Sequence, residues 1–422
     1  MTADLLTVKL EKLAYGGAAL GRLSDGRAAF IPFALPGETV RARVVEQKRG
    51  HVRAELVEVL EPSLQRIPPR CKHFGKCGGC HYQHMPYSSQ LAAKTDILCD
   101  QLARIGKIEN PPLQPIVPSP REWNYRNHIQ FHLTPEGKIG YVGAGFIPSQ
   151  SADTRSASTI IPIYECHLPE APLNDLWPRL EFDPGLGLER VSLRLGAGGE
   201  TMLILESDET PELELEADLS VVHLRGEETV VMAGEETLTI EVCGRPFRVS
   251  AASFFQVNTA MAGTMAGHLL SRLPLPPQAT VFDVYCGAGL FSAFLAPRAG
   301  RVIGIEFSPS ACEDFTANLD EFENVELYEG AAEEILPALV GRIPNLPCVI
   351  VDPPRAGLHA RAMDAILSLA PGCIAYVSCD PSTLARDARR LVDGGYRLTD
   401  VTPFDLFPQT YHIESISVFE KP

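Results

Sequence analysis

No part of the 422-residue sequence holds a run of about 18 apolar residues, so a membrane-spanning helix is not expected. The first residues, MTADLLTVKLEKLAYGG, lack the basic start and apolar centre of a secretory leader, which points to a cytoplasmic protein. Positive charge is scarce: 37 Lys and Arg stand against 53 Asp and Glu, and the net −16 argues at first against a nucleic-acid partner. No internal repeat is visible. Disorder is excluded by composition, with 45% hydrophobic and 21% charged residues. The length exceeds one ordinary core, so two or three domains are expected. In a reducing compartment the 11 cysteines are read as ligands, nucleophiles or buried thiols rather than disulfides.

The charge that is present is unevenly spread. Residues 1–160 hold 20 Lys and Arg against 14 Asp and Glu, whereas residues 161–422 hold 17 against 39. A basic front end is what a polyanion would meet, although unequal solvated surfaces give the same numbers. Within that front end Leu6–Leu10, Ala28–Pro32, Glu38–Glu46 and Ala54–Leu60 read as strands, divided by Gly- and Pro-bearing turns. Several strands in under 60 residues suggest a small closed barrel of the OB type, a frequent nucleic-acid platform. Pro62, Pro68 and Pro69 mark a linker. A helix is expected from Ser88 to Ile105, and residues 123–245 read as strand-rich and mixed. The acidic stretch Glu206–Asp218 reads as surface.

Beyond about residue 250 strands alternate with helices. Val281–Tyr285, Arg301–Glu306, Val325–Tyr328, Cys348–Asp352 and Cys373–Ser378 are separated by helix-length segments, which implies a mostly parallel sheet covered on both faces. The first of these strands runs into Cys286-Gly-Ala-Gly289, where glycine lets backbone approach a ligand. Glu306 ends the next strand, at the place of an acid that binds ribose hydroxyls. The full GxGxxG is missing, which disfavours a dinucleotide and leaves S-adenosyl-L-methionine as the better match.

Asp352-Pro353-Pro354-Arg355 ends a further strand, its carboxylate held in place by the stiff prolines. Amino-group methyltransferases follow a similar acid-Pro-Pro with an aromatic; Arg355 here counts against an exocyclic amine as target. Cys379 sits at the tip of the last parallel strand, facing the cofactor crevice as a candidate nucleophile. Cys373 reads as core, Cys286 as part of the cofactor loop, and Cys99, Cys243, Cys312 and Cys348 as buried small hydrophobes.

Near the front, Cys71, Cys77 and Cys80 place three thiols within ten residues, a density that packing does not need. A structural metal fits, with His84 or the distant Cys166 as fourth ligand, and spacing alone separates neither zinc from iron–sulfur nor one fourth ligand from the other.

Taken together, LEKLAYGGAALGRL, CKHFGKCGGCHYQHM, SFFQVN, DVYCGAG, DPPRAG, SCDPSTLARD and FPQTYHIES resemble, block by block and over almost the whole length, the RNA uracil-C5 methyltransferases that carry a TRAM domain and an iron–sulfur cluster. The resemblance implies an α/β protein of three parts. These are an OB-like TRAM barrel at 1–62, a mixed α+β domain with a 4Fe-4S cluster at 63–245, and a Rossmann-like S-adenosyl-L-methionine methyltransferase domain at 246–422. It implies Cys71, Cys77, Cys80 and Cys166 as cluster ligands, Cys379 as nucleophile and Glu414 as general base. Gln256, Tyr285, Glu306 and Asp352 match the cofactor pocket. Leu290 departs from members with Asn after the glycine loop. His412 is expected to pack or orient rather than to act as the base.

The implied reaction is methylation of C5 of one uridine in structured RNA, ribosomal ahead of transfer RNA, by a monomer that uses neither DNA nor membrane. RNA cytosine-C5 methylation and a non-catalytic iron–sulfur RNA-binding protein are the alternatives. Uracil C5 is a poor nucleophile until a thiolate adds to C6, and the C5 proton must later be removed, which is why a Cys and a carboxylate are both required. A base inside folded RNA must also leave its stack to reach them.

Overall fold

The computed structural model describes residues 5–144, 159–212, 219–226, 228–276, 278–343 and 346–421. Part of the expected acidic stretch Glu206–Asp218 lies outside them. The front strands are β1 (Leu5–Leu13), β2 (Ala18–Arg22), β3 (Ala28–Pro32), β4 (Thr39–Gln47) and β5 (His51–Glu61). They close into a barrel in the order β1-β2-β3-β5-β4. Alternation explains the closure: Val8, Leu10, Ile31, Val40, Ala42, Val52 and Ala54 point inward, and their neighbours meet solvent. β2 was not anticipated, because its small residues Ala18, Ala19 and Gly21 give no strand signal of their own. The barrel core also includes Tyr82, Met85 and Ile97 and, from the far end of the chain, Ile413. The barrel is thus fastened both to residues 82–97 and to the C-terminal part of the chain.

The helix α1 (Tyr87–Arg104) buries Gln90, Lys94, Ile97, Leu98, Gln101 and Leu102 along one face, at spacings of three and four. Beyond it, β6 (His128–Leu133), β7 (Ile139–Val142), β8 (Ile160–Pro162), the short α2 (Ala171–Leu176), β9 (Arg190–Leu195), β10 (Thr201–Glu206), β11 (Ser220–Arg225) and β12 (Glu228–Ala233) follow. These strands form one sheet in the order β12-β11-β10-β9-β6-β7-β8. A hairpin of β13 (Thr237–Val242) and β14 (Arg245–Ser250) leads to α3 (Thr259–Arg272).

The last part is β15 (Thr280–Val284), α4 (Leu290–Leu295), β16 (Arg301–Glu306), α5 (Pro309–Leu319), β17 (Val325–Glu329), α6 (Ala332–Leu339), β18 (Cys348–Val351), α7 (Ala360–Leu369), β19 (Cys373–Ser378), α8 (Pro381–Asp393), β20 (Arg397–Phe404) and β21 (Glu414–Glu420). Their sheet runs β17-β16-β15-β18-β19-β21-β20, parallel except for β21. Successive strand residues feed two cores. Val281, Val302, Cys348 and Cys373 face β13–β14 and α3–α5, whereas Phe282, Ile303, Val349 and Ile374 face α1 and α6–α8. The near-continuous apolar strands seen in the sequence are what burial on both faces demands. Strand order reverses at β15, between β16 and β18, which opens a crevice at their carboxyl ends.

Cys348, Cys373 and Cys312 are buried, as expected, and Cys286 in the glycine loop is buried too. Cys243 is not: it stands exposed in the β13–β14 turn with φ 53°, and Cys99 is only half-buried on α1. Hydrophobic character alone could not place a thiol in a turn that sequence patterning had left unassigned. Among the described residues no helix is long and apolar enough to cross a membrane.

Candidate active site

A cavity of about 1240 Å³ occupies the crevice and is lined by Gln256, Tyr285, Glu306, Asp352, Cys379 and Glu414 together. Residues far apart in the sequence meet here because each lies at a strand end or in a loop beside it. At the first turn, Tyr285 (φ 66°) and Cys286 still donate to the Ile305 carbonyl at 2.8 and 3.2 Å, so the backbone bends only after the ladder ends. Gly289 (φ 89°) caps α4, and a Cβ there would collide with Leu319.

Glu306 holds this loop in shape. One carboxylate oxygen accepts from Gly287 N at 2.9 Å, and the other accepts from Phe307 N and Ser308 N, both at 2.8 Å. The sequence pointed to Glu306 as a ligand to a ribose; the structure adds that it fixes the glycine loop to the start of α5.

Sequence reasoning missed Asp283. Fully buried on β15, it accepts from Ser292 Oγ at 2.6 Å through one oxygen, while its other oxygen has no partner. Burial pushes this carboxyl up to about 6. Asp352 is pushed up to about 7 by burial and then by the Asp283 and Glu306 charges. A polar residue inside the apolar VFDVY was the available signal. Glu306 and Asp352 line the cavity, and the buried Asp283 acts on Asp352; this crowding of carboxyls favours a cationic occupant, because a positive charge there relieves mutual repulsion.

In the same cavity, Cys379 is pushed up to about 12 by burial and by Glu414, Asp352 and Asp380, with Arg355 opposing. Glu414 is raised well above the carboxylate range by burial and by Asp352, with Arg355 and Lys94 opposing. Arg355 Nη2 lies 3.3 Å from His412 Nδ1, and burial together with Arg355 drives His412 down to about 3. The His412 ring packs edge-on to Phe407, with centroids 5.6 Å apart. Phe254 and Phe307 also line the cavity and are 72% and 71% exposed, two aromatic faces the sequence reading did not single out.

The four cysteines Cys71, Cys77, Cys80 and Cys166 are free and partly buried. They share one neighbourhood: Cys166 raises the Cys77 and Cys80 thiols, and Cys71 raises Cys77 and Cys166, each on top of a larger effect of burial. Backbone N–H groups of His73 and Gly79 point at the Cys71 and Cys77 sulfurs, each at 3.4 Å. His84 does not join them; both its ring nitrogens are unpartnered beside Phe74, and the charges acting on it are Arg66 and Glu38. Among the described residues no three His, Cys, Asp or Glu side chains stand in an arrangement that holds a single metal ion.

Known proteins resemble the chain throughout. A family profile described as tRNA (Uracil-5-)-methyltransferase matches residues 225–421, and one for the TRAM domain matches residues 3–57. A protein of Halalkalibacterium halodurans named as an uncharacterized RNA methyltransferase is 35% identical, over 99% of this chain and 97% of its own. One of Aquifex aeolicus with the same description is 34% identical over 98% of both chains. The solved tRNA (uracil-54, C5)-methyltransferase of Pyrococcus abyssi, in complex with S-adenosyl-L-homocysteine, shares the fold with a TM-score of 0.74 and 24% identity, over 98% of this chain and 100% of that one.

Proposed function

Since the chain belongs to the RNA uracil-C5 methyltransferase family, we propose that it methylates C5 of one uridine in structured RNA through a covalent Cys379 adduct, with Glu414 as the base. The observation that carries this reading is the meeting of Cys379 and Glu414 in one cavity that Glu306 and Asp352 also line.

Gln256, Tyr285, Glu306 and Asp352 are the residues that would hold S-adenosyl-L-methionine, and the crowded carboxyls suit its positive charge. When bound, the cofactor supplies an electrophilic methyl group. The Cys379 thiolate adds to C6, forming an S–C6 bond and pushing the C5–C6 electron pair onto C5 and O4. C5 is then nucleophilic and accepts the methyl group. The Glu414 carboxylate removes the C5 proton, the double bond re-forms, and the S–C6 bond breaks to return the thiolate. The target base is flipped out of its stack to reach this depth.

Cys71, Cys77, Cys80 and Cys166 are proposed to hold a 4Fe-4S cluster. Four thiols in one neighbourhood, two of them receiving N–H groups, fit its all-cysteine ligation. Its proposed role is structural: it would tie residues 71–80 to the segment bearing Cys166. The division into residues 1–62, 63–245 and 246–422, RNA contact by the first two parts, a cytoplasmic monomer, and ribosomal RNA ahead of transfer RNA complete the proposal.

Mapping of 5-methyluridine in ribosomal and transfer RNA, from cells with and without the gene, tests it. One uridine should lose its methyl group. Loss of 5-methylcytidine instead, or no loss at all, would refute the reading.

A further inference from the structure

The turn between β20 and β21 is held from outside itself, one carbonyl at a time. Asn258 Nδ2 donates to Leu406 O at 3.1 Å, Lys94 Nζ to Phe407 O at 3.0 Å, and the Tyr125 hydroxyl to Pro408 O at 3.0 Å. His81 N and Tyr82 N both donate to Gln409 O, at 2.8 and 3.0 Å. Four successive carbonyls thus have partners in four different segments, where an ordinary surface turn would leave most of them to water.

The helix α1 adds two side-chain grips. Gln90, buried, accepts from Gln409 N at 2.9 Å and donates to Gln409 Oε1 at 3.0 Å. Lys94, fully buried, donates to Asp405 Oδ1 at 2.6 Å. Gln409 itself is left-handed, with φ 71°, a conformation a non-glycine residue keeps only when its surroundings enforce it. Position gives the turn two links to the site. Phe407 of this turn lines the cavity, and Glu414 begins the strand that leaves it. His81 and Tyr82 directly follow Cys80, so the thiol-bearing segment is bonded to the turn that leads to Glu414.

We propose that Gln90, Lys94 and Tyr125 are positioning residues for methyl transfer: with the His81 and Tyr82 N–H groups they clamp residues 405–409 and thereby set Glu414 and Phe407 against Cys379. The clamp rests on the reading of Cys379 as nucleophile and Glu414 as base. It gives the cysteine-bearing segment a mechanical part in the reaction, that of an anchor for the base.

The test uses full-length protein carrying Gln90→Met, which keeps size and removes the grips on Gln409. Misplacing a base by a fraction of an ångström should lower steady-state turnover by about tenfold to a hundredfold. S-adenosyl-L-methionine affinity by calorimetry should stay within about twofold, since Asp283 and Glu306 belong to β15 and β16 and Asp352 directly follows β18. Labelled protein–RNA adduct should accumulate, because proton removal is the step that suffers. Effects that scale with the folded fraction, lowering cofactor affinity and adduct alike, would overturn the proposal, as would unchanged turnover. Tyr125→Phe removes the bond to Pro408, together with the hydroxyl's contact with Arg126, and keeps the test standing if Gln90→Met fails to fold; it should slow turnover roughly threefold and again raise the adduct. No change in that variant counts against the clamp. If the adduct persists when Cys379→Ala is added to Gln90→Met, the assignment of Cys379 as nucleophile fails, which is a different result.

Discussion

Ser378, the last residue of β19, pairs with Ser415 of β21 in antiparallel register, and Cys379 and Glu414 are the next residues in sequence beyond that pair. Cys379 is the first residue past the end of β19 and Glu414 the first of β21, so the sheet brings the two chain segments side by side at the cavity. Burial raises both groups, Glu414 adds to the rise at Cys379, and Asp352 adds to the rise at both. A cation bound in this cavity would favour both ionised forms.

The two residues should fail differently. Cys379→Ala should abolish methyl transfer and the covalent complex, since no S–C6 bond can form. Glu414→Gln should still add and still transfer the methyl group, then stall, because losing a positioned base typically costs about 10²–10⁴ in rate. A denaturing gel with labelled S-adenosyl-L-methionine should show a protein–RNA band for the Gln variant that the Ala variant lacks. Normal turnover by Glu414→Gln would mean that Glu414 merely begins a strand.

Cofactor affinity should depend on pH through Asp352. Its carboxyl is raised to about 7, so it is increasingly neutral as pH falls through that value and attracts a sulfonium less. Binding of S-adenosyl-L-methionine should therefore strengthen from pH 6 to 8 by roughly one tenfold step and level off above. Asp352→Asn should be weaker and flat over the same range. Equal slopes in both proteins would remove Asp352 from the cofactor site.

How far the sequence reached depends on where chemistry declares itself. The parallel sheet was readable because strands buried on both faces are continuous apolar runs, and Glu306, Asp352 and Cys379 were readable because they end those runs. Glu414 came only from resemblance, since nothing in HIES announces a partner 35 residues upstream across an antiparallel pair. Asp283 hid inside a strand whose pattern says core. Gln90 and Lys94 hid in the same way on α1, where spacing alone marks a buried face but not that its polar groups reach Gln409 and Asp405 more than 300 residues away.

Iron should follow Cys166. Protein purified anaerobically is expected to be brown, with about four iron atoms and matching sulfide per chain if the four thiols hold a 4Fe-4S cluster. Cys166→Ala should lose the colour, whereas Cys99→Ala, on α1 and outside the thiol neighbourhood, should keep it. Stoichiometric zinc without sulfide would refute the cluster.

Lys94→Met should be among the costliest single changes in the chain. Lys94 and Asp405 are both fully buried, and the second Asp405 carboxylate oxygen already lacks a hydrogen-bond partner. Removing the ammonium leaves a buried carboxylate unpaired, at a cost of about 3–5 kcal/mol. Adding Asp405→Asn should recover much of that, because the stranded charge is gone. Denaturant midpoints of the two variants check this; equal midpoints would mean that the charge pair contributes nothing beyond packing.

RNA affinity should be set in part by the barrel, and point substitutions test this better than deletion of residues 1–62. Tyr82, Met85, Ile97 and Ile413 complete the barrel core, so deletion would expose them and disturb the turn that leads to Glu414. Arg43 on β4 and Arg49 after it are exposed, so their charge can be removed without opening the core. Each phosphate that is no longer neutralised should reduce the slope of log affinity against log salt by about 0.7–0.9, so an Arg43→Gln, Arg49→Gln pair should flatten it by up to about 1.8. Cofactor affinity should be unchanged, because neither residue lines the cavity. An unchanged slope would move the RNA off this edge of the barrel, and a change in cofactor binding would show that the substitutions had disturbed the fold.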